Sequence, residues 1–263
     1  MRDIARISAA TGLSEKNLEK EVRLFNFMPR FFNAMEEQGI KVALYGGTAL
    51  NKGYFKEKQR FSKDLDIDVL EQDWHTTYEG IVRLLQQGFK EYVIERTNLN
   101  LPGTTKEIVL RYGQEPWETL LIELNVTLPA MPLEVKKIAL HSLLEYHGMP
   151  MPGIYIPSYS LESLLARKMM ALARRQIGKD IYDVYMGLKH NPDRKILRRY
   201  LDSLSKDEWK TDFESVAGNM VVWLEKTNRK STDIVELSDN VPIDYREDIK
   251  TMVNEIAFGL RNL

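Results

Sequence analysis

Two short segments hold residue types that bind phosphate and metal. The first is Leu44-Tyr45-Gly46-Gly47-Thr48-Ala49-Leu50; the second, a little further on, is Asp64-Leu65-Asp66-Ile67-Asp68. In an extended strand, side chains alternate between faces. Asp64, Asp66 and Asp68 therefore share one face, while Leu65, Ile67 and Val69 take the other. Same-face neighbours lie about 7 Å apart along the backbone. Carboxylates so placed can converge on a hard divalent ion, which prefers oxygen ligands and removes their mutual repulsion. A solvent-facing acidic edge strand would carry the same pattern, so the alternation alone decides little.

Two rival metal chemistries fail on spacing. An EF-hand loop opening at Asp64 would need Gly at 69 and Glu at 75, where the chain has Val69 and His75. A phosphatase of the haloacid-dehalogenase type would need an apolar strand before its first aspartate, where the chain has Arg60-Phe61-Ser62-Lys63.

Gly46-Gly47-Thr48 reads as a tight turn between a strand and a helix. Glycine lets the backbone approach an anion, free N–H groups at a helix start point toward it, and the Thr48 hydroxyl could add a hydrogen bond. A Gly-Gly pair alone is usually just a turn. Followed by a carboxylate strand, this one becomes a candidate phosphate cradle, the pairing that a metal-dependent enzyme would need to hold a nucleoside triphosphate. A P-loop is excluded because no Gly-Lys-Ser/Thr closes the turn.

Other candidates follow from patterning. In the segment 120–127, Leu120, Ile122, Leu124 and Val126 fall on one face and Leu121, Glu123, Asn125 and Thr127 on the other. Glu123 is thus a candidate third metal ligand or general base, with Asp68 as the alternative. Lys168 interrupts the apolar helical row Leu161, Leu164, Leu165 and Leu172, where a lysine either snorkels or reaches a buried anion such as a nucleotide phosphate. Asp180 and Asp183 share one helix face and could orient Lys168 or Arg174; Asp180 also suits a helix N-terminus. The four histidines show no ligand spacing, and the tryptophans read as packing residues.

The elements that position these residues are an N-terminal helix over 14–38 with Ser14 as N-cap, a strand over 41–45 and a helix from about Thr48. A strand over 65–70, a helix over 78–87, and strands over 91–97, 108–112 and 120–127 follow, the first two of these strands joined through a Pro102-Gly103 turn. Pro152 and Pro157 bracket an extended connection, and from residue 160 the pattern is helical to the end. The segment 7–14 faintly suggests the turn of a helix-turn-helix. The expected division is an N-terminal helical segment over 1–38, a mixed α/β core over 39–156 and a helical domain over 157–263.

Composition narrows the class. At 263 residues, 43% hydrophobic and 29% charged, the chain has ample material for a globular core. With no cysteine, disulfides and thiolate zinc sites are excluded. No apolar signal core opens the sequence and no run approaches a membrane span, so the expected location is the cytoplasm. The net charge of −1 hides a local excess: residues 160–200 carry ten basic side chains and four acidic ones. That stripe suits a polyanionic partner, although a solvated helix face is as good a reading for each residue singly. Arg174 and Arg175 within it are candidate acceptor-binding residues.

Together, several blocks resemble the AbiEii/AbiGii toxin family of nucleotidyltransferases in the DNA polymerase β-like superfamily. They are Gly46-Gly47-Thr48-Ala49-Leu50, Arg60-Phe61-Ser62-Lys63-Asp64-Leu65-Asp66, Ile122-Glu123-Leu124, Leu164-Leu165-Ala166-Arg167-Lys168 and Lys179-Asp180-Ile181-Tyr182-Asp183. Their order and spacing match over about residues 40–190. The resemblance implies an α+β fold: a minimal nucleotidyltransferase core with a mixed β-sheet, followed by a C-terminal helical bundle. It implies Mg²⁺-dependent (or Mn²⁺-dependent) transfer of a nucleotide from an NTP to an acceptor, with pyrophosphate released. Asp64 and Asp66 would hold metal, assisted by Glu123. Gly47, Thr48 and Ser62 would contact phosphates, Lys168 would bind nucleotide phosphate, and Asp180 would belong to the last motif; the glycine turn itself adds Gly46 to the phosphate cradle. It further implies a winged-helix antitoxin and, for some members, the 3′ end of tRNA as acceptor. Two other readings keep the same fold: a non-catalytic module that binds NTP or antitoxin, and a nucleotidyltransferase acting on a small molecule. Asp68 departs from the family pattern, which has an apolar residue there, and leaves open which carboxylates bind metal.

Overall fold

The structure, a computed structural model, describes residues 2–70, 73–96, 105–114, 118–125, 133–226, 237 and 239–263. The Pro102-Gly103 turn and the strand positions Thr97, Val126 and Thr127 lie outside the described residues.

Ser14 caps the long second helix as expected, accepting a hydrogen bond from the Asn17 backbone N–H. Two helices, α1 (Arg2–Thr11) and α2 (Glu15–Glu37), precede β1 (Val42–Tyr45) and α3 (Gly46–Tyr54). Then come β2 (Asp64–Val69), α4 (Trp74–Gly88), β3 (Val93–Arg96), β4 (Thr105–Tyr112), β5 (Glu118–Asn125) and β6 (Val135–Leu140). A short α5 (Leu143–Tyr146) leads to β7 (Ile154–Tyr159), and α6 (Leu161–Arg175), α7 (Gly178–Lys189), α8 (Arg194–Leu204), α9 (Phe213–Lys226) and α10 (Ile249–Arg261) follow.

The strands form one mixed sheet in the order β3-β4-β5-β2-β1-β7-β6, with β2 parallel to β5, β1 parallel to β7 and the remaining pairs antiparallel. One face is apolar: Leu44, Leu65, Ile67, Ile122 and Leu124 are all fully buried, in the same core cluster as Leu24, Phe27 and Phe31 of α2. The other face carries Asp64, Asp66 and Asp68, as the alternation of β2 requires.

Two strands were not anticipated. Residues 135–140 and 154–159 form β6 and β7, and Ser158 of β7 lies beside Leu44 of β1. The expected boundary at 156/157 therefore falls inside a strand. Pro157 hides β7 in the sequence because proline reads as a break. In the structure it sits opposite Lys137 in the ladder. The helices after β7 bury residues into the same core cluster as the sheet.

Behind the Gly46–Gly47 turn, α3 is locked to α2. Lys52 of α3 donates to both carboxylate oxygens of Glu21 at 2.7 and 2.6 Å, and the Ser142 hydroxyl adds a third bond to Glu21. The lysine and glutamate side chains are 0% and 1% exposed. That lock fixes the helix that begins with the glycine turn.

Candidate active site

Strand register assembles the acids. Tyr45, Asp66, Glu123 and Glu107 are successive cross-strand neighbours on β1, β2, β5 and β4, so one rung of the sheet carries three carboxylates in a row. Gly46 sits directly over this rung. Its φ is +72°, the left-handed region, and a Cβ there would lie 1.8 Å from Asp66 Oδ2. Only glycine satisfies both conditions. The first backbone N–H groups of α3, from Gly46 to Thr48, have no carbonyl of their own helix to bond.

A cleft of about 510 Å³ opens above the rung, lined by Gly46, Asp66, Glu123, Lys168, Arg174 and Arg175 among others. Its electrostatics reflect crowding. Burial, then the charges of Asp66, Asp64 and Glu107, push the Glu123 carboxyl up to about 7. Burial also raises Asp66; Lys168 opposes the shift and Asp64 adds to it. Acids that resist ionising side by side favour a cation among them.

Among the described residues, no three His or acidic side chains stand close enough to hold a metal by themselves. The donor set is nonetheless all hard oxygen. Asp66 beside Glu123, with Asp64 on the same face of β2, suits a divalent ion that takes its remaining ligands from a triphosphate.

Asp68 is taken out of this set. Arg167 donates to both its oxygens at 2.5 and 3.1 Å, Tyr159 donates at 2.6 Å and Asn125 at 3.0 Å. With four such bonds and no exposure, Asp68 anchors Arg167 rather than facing the cleft. The Arg167 guanidinium in turn stacks over the Tyr45 ring, 3.8 Å from its centroid.

Lys168 on α6 faces α7, donating to Asp180 at 3.0 Å and standing 3.1 Å from Asp183 Oδ2. Sequence patterning placed it in an apolar row, and the two aspartates supply the anions that such a lysine needs. It also borders the cleft, so it is held from behind and presented in front.

Three expected contacts are corrected. The Thr48 hydroxyl is fully buried and donates to the Asp64 carbonyl at 2.6 Å, so it cannot reach a phosphate. Its single proton being used, Ser62, 9% exposed, donates to it across 2.9 Å; this pair braces the start of β2. Asp180, by contrast, does what its helix face allowed: fully buried, it orients Lys168, together with Arg175 rather than Arg174, from outside the cleft lining. The basic stripe is largely neutralised: Arg174 pairs with Glu208, Arg175 with Asp180, Arg198 with Asp202 and Glu214, and Lys189 with Glu255. Arg174 and Arg175 still border the cleft, as its paired wall.

Sequence reasoning missed Glu107, Arg167, Asp207 and Glu208. Arg167 adjoins Lys168, and the surplus acid Asp68 was the signal for it. Glu107 becomes visible only once β4 is set against β5. Asp207 and Glu208 reach the cleft from the single π turn Ser205–Trp209, a feature with no sequence signature.

The family model described as the nucleotidyl transferase AbiEii toxin of type IV toxin–antitoxin systems matches residues 30–260. Among solved structures, the chain is similar to MenT4, a nucleotidyltransferase toxin from Mycobacterium tuberculosis. The two share 14% identity and a TM-score of 0.67 over 99% of this chain and 89% of that one, a likeness of fold. The antibiotic-resistance factor ANT(2'')-Ia is similar more distantly, at 12% identity and a TM-score of 0.45, over 72% of this chain and 95% of that one. No curated protein is similar to the chain in sequence.

Proposed function

Because the chain belongs to the AbiEii family of nucleotidyltransferase toxins of type IV toxin–antitoxin systems, we propose that its cleft transfers a nucleoside monophosphate from an NTP to the 3′ end of tRNA. Mg²⁺, or Mn²⁺ in its place, would be held by Asp64, Asp66 and Glu123. The observation that carries this reading is the arrangement of one cleft. Asp66 and Glu123, the Gly46 turn and Lys168 all line it, and Gly46 sits over Asp66.

The backbone N–H groups of Gly46 and Gly47 receive the terminal phosphates, as a helix start does for any anion. Lys168, kept in place by Asp180 and Asp183, neutralises charge that builds on the phosphates in the transition state. The acceptor oxygen forms its bond to the α-phosphorus as the bond to the bridging oxygen breaks and pyrophosphate leaves. Divalent metal bound at the carboxylates would supply acidification of the acceptor hydroxyl and stabilisation of the leaving pyrophosphate. Glu123 suits its share of this task because burial and its acidic neighbours push its carboxyl up to about 7, and a cation beside it would favour the ionised form.

Among the described residues, no helix is long and apolar enough to cross a membrane. We place the reaction in the cytoplasm, where NTP and tRNA are found. The family implies an antitoxin, which we propose is of the winged-helix kind.

The test incubates purified protein with Mg²⁺, each α-labelled NTP in turn and total tRNA, with Asp64→Ala/Asp66→Ala as control. Label on tRNA from the wild type alone supports the proposal. NTP binding without label on tRNA, but with label on a small-molecule or protein acceptor, would overturn the tRNA assignment. NTP binding without any turnover would favour a binding module.

A further inference from the structure

Behind the residues that face the cleft, a buried network runs beneath the glycine turn. Arg60 and Asp183 have side chains 5% and 0% exposed. Arg60 donates through Nε to Asp183 Oδ1 at 2.9 Å and through Nη2 to Oδ2 at 2.6 Å. Its Nη1 donates to the Phe61 carbonyl and its backbone N–H to Asn51 Oδ1. Asn51 Nδ2 lies 2.8 Å from Asp183 Oδ1 and 3.0 Å from the Gly47 carbonyl, donating to both. The guanidinium is pressed against the turn: a Cβ on Gly47 would stand 2.5 Å from Arg60 Nη2. On its far side, Asp183 Oδ2 is 3.1 Å from Lys168 Nζ.

One carboxylate thus ties together the backbone of the phosphate turn and the cleft lysine. Stability alone does not account for it. A fully buried ion pair seldom recovers its desolvation cost, and a well-packed apolar pair of similar volume is often as stable or more so. What an apolar pair cannot do is hold two groups at one separation through a planar, bidentate fork.

We propose that Arg60 is a positioning residue for the triphosphate: clamped by Asp183, its guanidinium sets the Gly46–Gly47 backbone at a fixed spacing from the Lys168 ammonium. This rests on the reading of the cleft as an NTP site. Burial of Asp183 acts against its ionisation, but the charges of Arg60 and Lys168 and the hydrogen bonds from Arg60 and Asn51 outweigh it and hold its pKa low. The clamp therefore stays charged at neutral pH.

The test compares the full-length wild type with Arg60→Met/Asp183→Leu, Arg60→Met and Arg60→Lys. Each is measured by thermal unfolding and by calorimetric binding of α,β-methylene NTPs and of the matching nucleoside monophosphates, with Mg²⁺. The expected result is a double variant that melts near the wild-type temperature yet binds the triphosphates on the order of tenfold or more weakly, with monophosphate affinity unchanged. Arg60→Met and Arg60→Lys, each with Asp183 still in place, should show the same selective loss. Should the double variant fail to fold, Arg60→Lys decides by the same comparison. Wild-type triphosphate affinity in the variants, or equal weakening of triphosphate and monophosphate, would overturn the positioning role while leaving the NTP site standing. A wild type that binds no triphosphate would overturn both.

Discussion

Glu123 is where burial and like charge meet most directly. Its carboxyl, ordinarily at 4.5, is pushed up to about 7 by burial and by Asp66, Asp64 and Glu107. Folding therefore favours the protonated form. The stability this confers is fully present below pH 4.5 and is lost as the pH rises through about 7. Without divalent ions, Glu123→Gln should melt above the wild type at pH 8, and the gap should close toward pH 5. A lower melting temperature at both pH values would show that the carboxylate has a structural partner instead. Asp66 lies at the centre of the same rung. Its replacement by alanine should cost transfer on the order of 10³-fold while leaving the fold intact, the scale of losing a metal's charge stabilisation. Wild-type turnover in that variant would remove Asp66 from the site.

At the scale of elements, local patterns were legible and long-range ones were not. The period-2 aspartates of β2, the capped α2 and the apolar alternation of β5 can be read from neighbours in sequence. Each expected element lay within a few residues of its position, α3 beginning at Gly46 rather than Thr48 because the left-handed Gly46 opens the helix. What adjacency does not encode is register. The pairing of Glu107 with Glu123, the capture of Asp68 by Arg167, and the Thr48 hydroxyl turned inward all depend on segments distant in sequence. Charge counting along residues 160–200 misled for the same reason, since the acids that neutralise it lie partly on other elements. The turn itself yields a sharp prediction. Gly46→Ala forces a side chain into the left-handed region, at about 1–2 kcal/mol, and onto Asp66 Oδ2. Transfer should be lost in a protein that still unfolds cooperatively in a circular-dichroism melt; an active Gly46→Ala protein would mean the turn is not held over the acids.

Across the whole molecule, the sheet and the helices after β7 share one apolar cluster, α1 and α5 pack in a smaller second one, and β7 joins the sheet beside β1. Calorimetry should therefore record a single unfolding transition, whereas two separated transitions would show that the helical region is an independent domain. The Lys52–Glu21 lock should matter globally. Glu21→Ala leaves a buried lysine without its carboxylate and should cost about 3–5 kcal/mol in denaturant unfolding. The placement of the cleft residues follows from this packing: acids from the sheet, a turn from α3 and a lysine from α6 meet only because those layers are packed together. The most direct test is a crystal structure with Mn²⁺ and an α,β-methylene NTP. Anomalous signal beside Asp64, Asp66 and Glu123, with terminal phosphates at the Gly46–Gly47 turn and Lys168, is the expected result. A nucleotide lodged in another groove, or metal bound away from these carboxylates, would contradict it.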